Sequence, residues 1–537
     1  MKLVSKQDLK NILGQIPLTA EAYWYIRQPG KPITPEFTLD KLERSILDWR
    51  SQILGSEIYQ SLRKETLSSR GKRIFIFATL RYWLEHATLL GMTLAGMGNE
   101  VTLGYLPYAR WQEPIDAFSL RRQNLYTESV LGKADPLIHV LSLLAKTNGR
   151  KLPTDILKAV DLVSLRDTQY TLQVEDINPT CDLYKMRHQR NLSAAYAAYA
   201  YLSKHKPDVV ILPNGTILEF GVIYKVTRFL GIPTVTYEFG EQRDRIWLAQ
   251  DGEVMRQETN ELWWTRQDQP LTSDQLDQVR RLFNARQRAS LWENFARRWQ
   301  GVPSEGGAQV RKSLGLDGRP IVLLATNVIG DSLTLGRQVF SDSMTEWLER
   351  TVQYFATRPD VQLVARIHPG ELITKGPSVA DVVQRALPSI PEHIHLVHAD
   401  AKVNTYDIVE IADLGLVYTT TVGMEMAMSG VPVIVVGNTH YRAKGFTLDP
   451  ESWEAYFELL NSIFSGKDPS RLTQSQVQLA WNYAYRFFFE YPQPFPWHLV
   501  HFWKDLETWP VARLLSDEGL SAYRKTFQYL AGEPIQW

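Results

Sequence analysis

A single cysteine, Cys181, stands among 537 residues. The chain can therefore close no disulfide within itself, and a cysteine-based zinc site lacks its ligands. No stretch approaches the ~18 to 20 apolar residues that a membrane span needs. The opening MKLVSKQDLKNILGQIPLTA interleaves charge with apolar residues and lacks the uninterrupted core of a signal peptide. A cytoplasmic chain is expected from this, with peripheral contact to a membrane left open. Net charge is also missing, since 59 Lys and Arg balance 59 Asp and Glu. No global field argues for a nucleic-acid partner. Finally, no Asp-x-Asp pair follows an apolar run, and neither HExxH nor GxxxxGK[ST] occurs. Metal-dependent nucleotide-sugar chemistry, zinc peptidases and P-loop NTPases lose their signatures, and neither metal nor cofactor is expected.

What is present is ordinary in amount and ordered in pattern. A hydrophobic fraction of 44% with 22% charged residues supports large cores, and the length suggests two or three domains. Sixteen Trp and 24 Tyr are many, but aromatics pack more often than they bind. Residues 1–70 read as an N-terminal helical extension, with FTLDKLERSILDWRSQIL at helical spacing. KRIFIFATL, NEVTLGYLP, PDVVILPNG and IPTVTYEFG then read as buried strands alternating with helices, which makes 71–300 a Rossmann-like half. QGVPSEGGAQ places a linker over 301–318. RPIVLLATN, VQLVARIHP, HIHLVHA, LGLVYT and VPVIVVG make 319–465 a second such half, and 466–537 reads as further helices packing back toward the first. Continuous apolar strands of this kind suit a sheet covered on both faces.

In open parallel sheets ligands bind beyond the strands' carboxyl ends, so the polar residues there are the candidates. In LVYTTTVGMEMAMSG, Thr419, Thr420, Thr421 and Gly423 precede a helix whose free N–H groups suit phosphate, with Glu425 just beyond. The plain alternative is a threonine cap, although the spacing from Thr421 to Glu425 fits a capping box poorly. In ARIHPGE, Arg366 and His368 suit an oxyanion, or His368 is simply satisfied by backbone. In TVTYEFGEQRDR, Glu238 and Glu241 are candidate general bases, with surface ion pairs to Arg243 and Arg245 as the alternative. His86 could be a base or plain helix packing. Asn214 and Gly215 suit an acceptor hydroxyl or an ordinary turn, and Asn327 and Asp331 end a strand of the second half.

These stretches resemble a family. Two Rossmann-like parallel-sheet domains facing a cleft, with helical extensions at both ends, look like a GT-B glycosyltransferase. LLATNVIGDS, RIHPGE, VYTTTVGMEMAMSGVPVIVVG and YRAKGFTLDP resemble the capsule polysaccharide biosynthesis proteins, which include Kdo transferases. The His-Pro and Thr-Thr motifs are also similar to those of bacterial sialyltransferases, which use CMP-activated sugars. The resemblance implies that Thr420, Thr421 and His368 hold donor phosphate, that Tyr441 and Lys444 lie near the donor, and that Glu238 is the catalytic carboxylate. Sialyltransferases carry two adjacent acids before the glycine, whereas Phe239 stands here in the second place, so Glu241 stays the runner-up. The expected activity is metal-independent transfer of a sugar from a nucleotide-sugar donor, CMP-linked before UDP or GDP, to a surface, capsular or lipid-linked glycan. A nucleotide-sugar epimerase, a polyol-phosphate transferase and a non-catalytic assembly module are the rivals.

Overall fold

A computed structural model describes residues 6–64, 71–144, 151–240, 242–288, 302–465 and 471–537. The chain divides into two compact units. Unit 1 comprises residues 1–167, 179–255 and 493–536, and unit 2 comprises 168–178 and 256–492, with Trp537.

In unit 1 the strands are β1 (Arg73–Thr79), β2 (Glu100–Leu106), β3 (Ile138–Ser142), β4 (Val209–Pro213), β5 (Thr234–Glu238) and β6 (Arg245–Gln250). In unit 2 they are β7 (Ile321–Ala325), β8 (Gln362–Arg366), β9 (Ile394–Val397), β10 (Leu414–Val417) and β11 (Val433–Val435). A last short strand, β12 (Gln493–Pro494), returns to unit 1. The sheet of unit 1 runs β12-β6-β5-β4-β1-β2-β3, with β1 to β5 parallel and β6 and β12 antiparallel to their neighbours. That of unit 2 runs β11-β10-β7-β8-β9, all parallel.

Both sheets are doubly wound, because the chain leaves a central strand in one direction and later returns to its other side. In unit 2 the turning point lies between β7 and β10. Every residue of β7, β8 and β10 is buried, which is why these runs carry no polar alternation. The helix Met344–Ala356 covers this sheet with Trp347, Leu348, Val352 and Phe355, all fully buried as their spacing predicts.

Three boundaries differ from the expectation. Residues 256–288 belong to unit 2 rather than to the first half. The stretch read as a linker is docked: Ser304 and the N–H of Glu305 bond to Asp407, and the N–H of Gly307 donates to Glu410 at 2.9 Å. Gly307 then starts a helix to Ser313 that lies against Ile411. The tail is shared, since 471–492 joins unit 2 and 493–536 joins unit 1. The strands β3 and β6 had no counterpart in the sequence reading. β3 is an edge strand, mostly half-buried, and β6 alternates, so neither shows a continuous apolar run.

Candidate functional site

In unit 2 the carboxyl ends of β7, β8 and β10 converge on a pocket of about 620 Å³ of empty space that opens to solvent. It lies where doubly wound sheets bind ligands. Ala325 and Thr326 from β7, Arg366 and His368 from β8 and Thr420 beyond β10 line it, joined by Arg286 and by Asn404 to Tyr406.

The strand ends are pinned to one another. The Thr326 hydroxyl donates to the Arg366 carbonyl at 3.2 Å and accepts the His368 N–H at 3.1 Å. Asn327 Oδ1 accepts the Thr419 N–H at 3.1 Å, tying β7 to β10. Asn327 is thus a brace behind the pocket.

Arg366 is the distinctive group. It is only 3% exposed. Its guanidinium donates to the His398 carbonyl at 2.5 Å, the Val403 carbonyl at 3.3 Å, the Val397 carbonyl at 3.5 Å and the Thr405 hydroxyl at 3.4 Å. All of these partners are neutral. Burial pushes its pKa down to about 10, against the opposing charge of Asp400.

His368 Nδ1 accepts the Gly370 N–H at 3.0 Å. A protonated imidazole has no acceptor, so this bond favours the neutral ring with its hydrogen on Nε2. Donation from this ring is therefore from Nε2. His368→Ala is expected to lower turnover about 100-fold or more with little change in melting temperature. Steady-state rates and a thermal melt check both.

Of the three threonines, Thr419 and Thr420 are both buried but Thr420 lines the pocket, and Thr421 makes no side-chain cap to the helix Val422–Met428. Gly423 has a different use from the close anion approach expected of it. A Cβ there would run into the Tyr441 hydroxyl and come within 2.9 Å of Val417. Tyr441, fully buried, donates to the Thr420 carbonyl at 2.5 Å and so props the threonine turn from behind. Gly423→Ala is expected to cost about 1 to 3 kcal/mol by overpacking, with partial relief in a Tyr441→Phe background. Urea unfolding of the single and double variants measures the coupling.

Glu425 and Lys444 are corrected as donor ligands. Glu425 is buried in an ion pair with Arg286 at 2.6 Å. Desolvation works to lower the Arg286 pKa, but Glu425 outweighs it and holds that guanidinium charged. The Lys444 ammonium is buried against the Asn260 side chain, and desolvation lowers its pKa. Arg286, Thr326, Asn404, Thr405 and Tyr406 line the pocket and were not singled out from sequence.

In unit 1, Glu238 ends β5. Its carboxylate accepts the Phe239 N–H at 3.1 Å and the Asn214 amide at 3.3 Å. Desolvation nevertheless dominates and raises its pKa to about 7, placing it near neutrality. Asn214 Oδ1 meanwhile accepts the N–H groups of Thr216 and Ile217, so Asn214 holds both the turn and the acid. Asn214 and Gly215 have φ of 58° and 79°, which the turn requires. Arg243 pairs with Asp505. Glu241 lies outside the described residues.

His86 is corrected as a base. It is fully buried among Trp83, Tyr237, Phe239, Phe495 and Phe502, with Nδ1 3.3 Å from the Tyr237 hydroxyl. Burial drives its pKa down to about 3, so it is a neutral core residue.

No family model and no curated protein matches the sequence. Among solved structures, the chain is similar to the KpsC β-Kdo 2,4 transferase of Thermosulfurimonas dismutans, at 14% identity over 54% of this chain and 82% of that one, with a TM-score of 0.33. It is also similar to the UDP-GlcNAc 2-epimerase of Neisseria meningitidis bound to UDP-GlcNAc, at 12% identity over 78% and 99%, with a TM-score of 0.26. A third is a glycosyltransferase from Rickettsia africae, at 10% identity over 87% and 100%, with a TM-score of 0.28.

Proposed function

We propose that the chain is a glycosyltransferase of the GT-B kind that binds the phosphate of a nucleotide-sugar donor in the pocket of unit 2. The observation that carries this reading is Arg366. Arg366 is a buried guanidinium whose hydrogen bonds go only to neutral groups, and it lines an open pocket. An anion is the natural complement. Arg366 would offset the charge that develops on the departing phosphate, and the His368 Nε2–H would donate to one of its oxygens. A lost donor in sites of this type costs on the order of 3 kcal/mol of barrier lowering. The acceptor hydroxyl would lose its proton to Glu238, whose pKa of about 7 suits a general base. CMP-linked sugars are the first donor class to test, with UDP and GDP next, and a glycan or lipid-linked glycan is the acceptor class.

Thermal melts with CMP, UDP, GDP and their sugars test the pocket, because a ligand of the folded chain raises the melting temperature with occupancy. A stabilising nucleotide is expected, and no response to any of them would remove the donor reading. Incubating that sugar nucleotide without acceptor then separates the chemistry. An isomerised product would replace transfer with epimerisation.

A further inference from the structure

Three residues in the turn and helix start that follow β4 have left-handed backbones: Asn214, Gly215 and Leu218, at φ of 58°, 79° and 56°. Asparagine and glycine adopt that region readily, whereas leucine does so only when its surroundings impose it. Leu218 also opens the helix Leu218–Phe229, and Ile217 before it makes no side-chain cap. The cap comes from elsewhere in unit 1. The Leu218 N–H donates to a carboxylate oxygen of Asp167, which lies 51 residues earlier in the helix Thr154–Leu172.

Asp167 is fully buried, and its other oxygen is held just as firmly. That oxygen accepts from Arg187 Nη2 at 3.1 Å, from Arg187 Nε at 3.2 Å and from the Asn191 amide at 2.8 Å. The same Nη2 donates to Glu219 at 3.0 Å, and the Asn191 amide also reaches the Ser164 hydroxyl at 3.1 Å. A buried ion pair adds little stability, because desolvation of the two charges offsets much of their attraction. What this one supplies is a fixed oxygen opposite the N–H of a strained residue, and such strain gathers at functional sites. The other end of the turn meets the acid of β5. Asn214 Oδ1 accepts from Thr216 and Ile217 inside the turn, while its Nδ2 donates to the Glu238 carboxylate at 3.3 Å. We infer that Asp167, fixed by Arg187, is a positioning residue for Glu238 and acts through the turn Asn214–Leu218. The assignment rests on Glu238 being the base proposed for transfer.

Asp167→Asn keeps the side chain's volume but leaves a single oxygen to serve both Leu218 and Arg187. It should lower kcat about tenfold with the donor KM unchanged. The pH midpoint of the rate should move upward from about 7, because the Glu238 carboxylate loses the Asn214 donor. The stability gained by Glu238→Gln between acid and alkaline pH should grow accordingly in urea unfolding, a readout that needs no substrate. Leu218→Gly added to Asp167→Asn can hold the left-handed turn without the carboxylate, so it should restore part of the rate and return the midpoint toward 7. Arg187→Lys cannot reach Asp167, Glu219 and Asn191 together, so it should act like Asp167→Asn and serves if that variant fails to fold. A loss of stability with kcat and the Glu238 titration both unmoved would overturn the inference. Coupling of the Glu238 titration to Asp167 in a chain that no nucleotide stabilises would support the positioning and remove the transfer reading alone.

Discussion

Arg366→Met is expected to reduce affinity for the nucleotide about 100-fold or more while leaving a folded protein. The methionine keeps much of the side chain's volume at the end of β8 but removes the charge. The loss splits into two measurable parts. The carbonyls of His398 and Val403 lose their donors, which costs stability on the order of 1 to 2 kcal/mol. The anion loses a desolvated cation, which costs binding on the order of 3 kcal/mol or more. Arg366→Lys keeps the charge but cannot span several carbonyls at once, so its deficit should fall between wild type and Met. Calorimetry against the stabilising nucleotide, read beside the melting temperature of each variant, separates binding from folding. Equal affinity in Arg366→Met and wild type would end the anion reading of the pocket.

Glu238→Gln is expected to lower turnover by 10² to 10⁴ with donor binding intact. The wild-type rate should rise with pH through a midpoint near 7, where the carboxyl becomes the base, and the variant should lack that limb. Stability moves the opposite way. The carboxyl keeps its proton to about pH 7 when folded and has an ordinary value of 4.5 when unfolded. Its contribution to stability is therefore complete below about pH 4.5 and is lost as pH rises through 7. Glutamine carries no such charge, so it should gain on wild type by on the order of 2 kcal/mol between pH 5 and pH 8. The glutamine amide cannot accept from both Phe239 and Asn214, which subtracts an amount independent of pH. The difference between the two pH values is thus the readout in urea unfolding, and a flat difference would place Glu238 in water.

The pocket also shows how separate the roles within one motif can be. The stretch from Thr419 to Glu425 reads as a single cradle, yet its members do four things. Thr420 faces the pocket, Thr419 anchors the turn to Asn327, Gly423 makes room for Tyr441, and Glu425 neutralises Arg286. The pocket's charge is therefore set by Arg366, since Arg286 arrives already paired.

Local pattern alone located the parallel cores of both sheets and the strand ends where Arg366, His368, Thr420 and Glu238 lie. It could do so because a strand buried on both faces must be apolar throughout, and the polar residues that follow it must then sit at the sheet's rim. What those neighbours meet was settled by long-range packing. The pairing of Glu425 with Arg286, the hold of Asn260 on Lys444 and the enclosure of His86 each join side chains far apart in the chain. Hydropathy is a local pattern, whereas the partner of a buried charge depends on which helix the fold lays beside it.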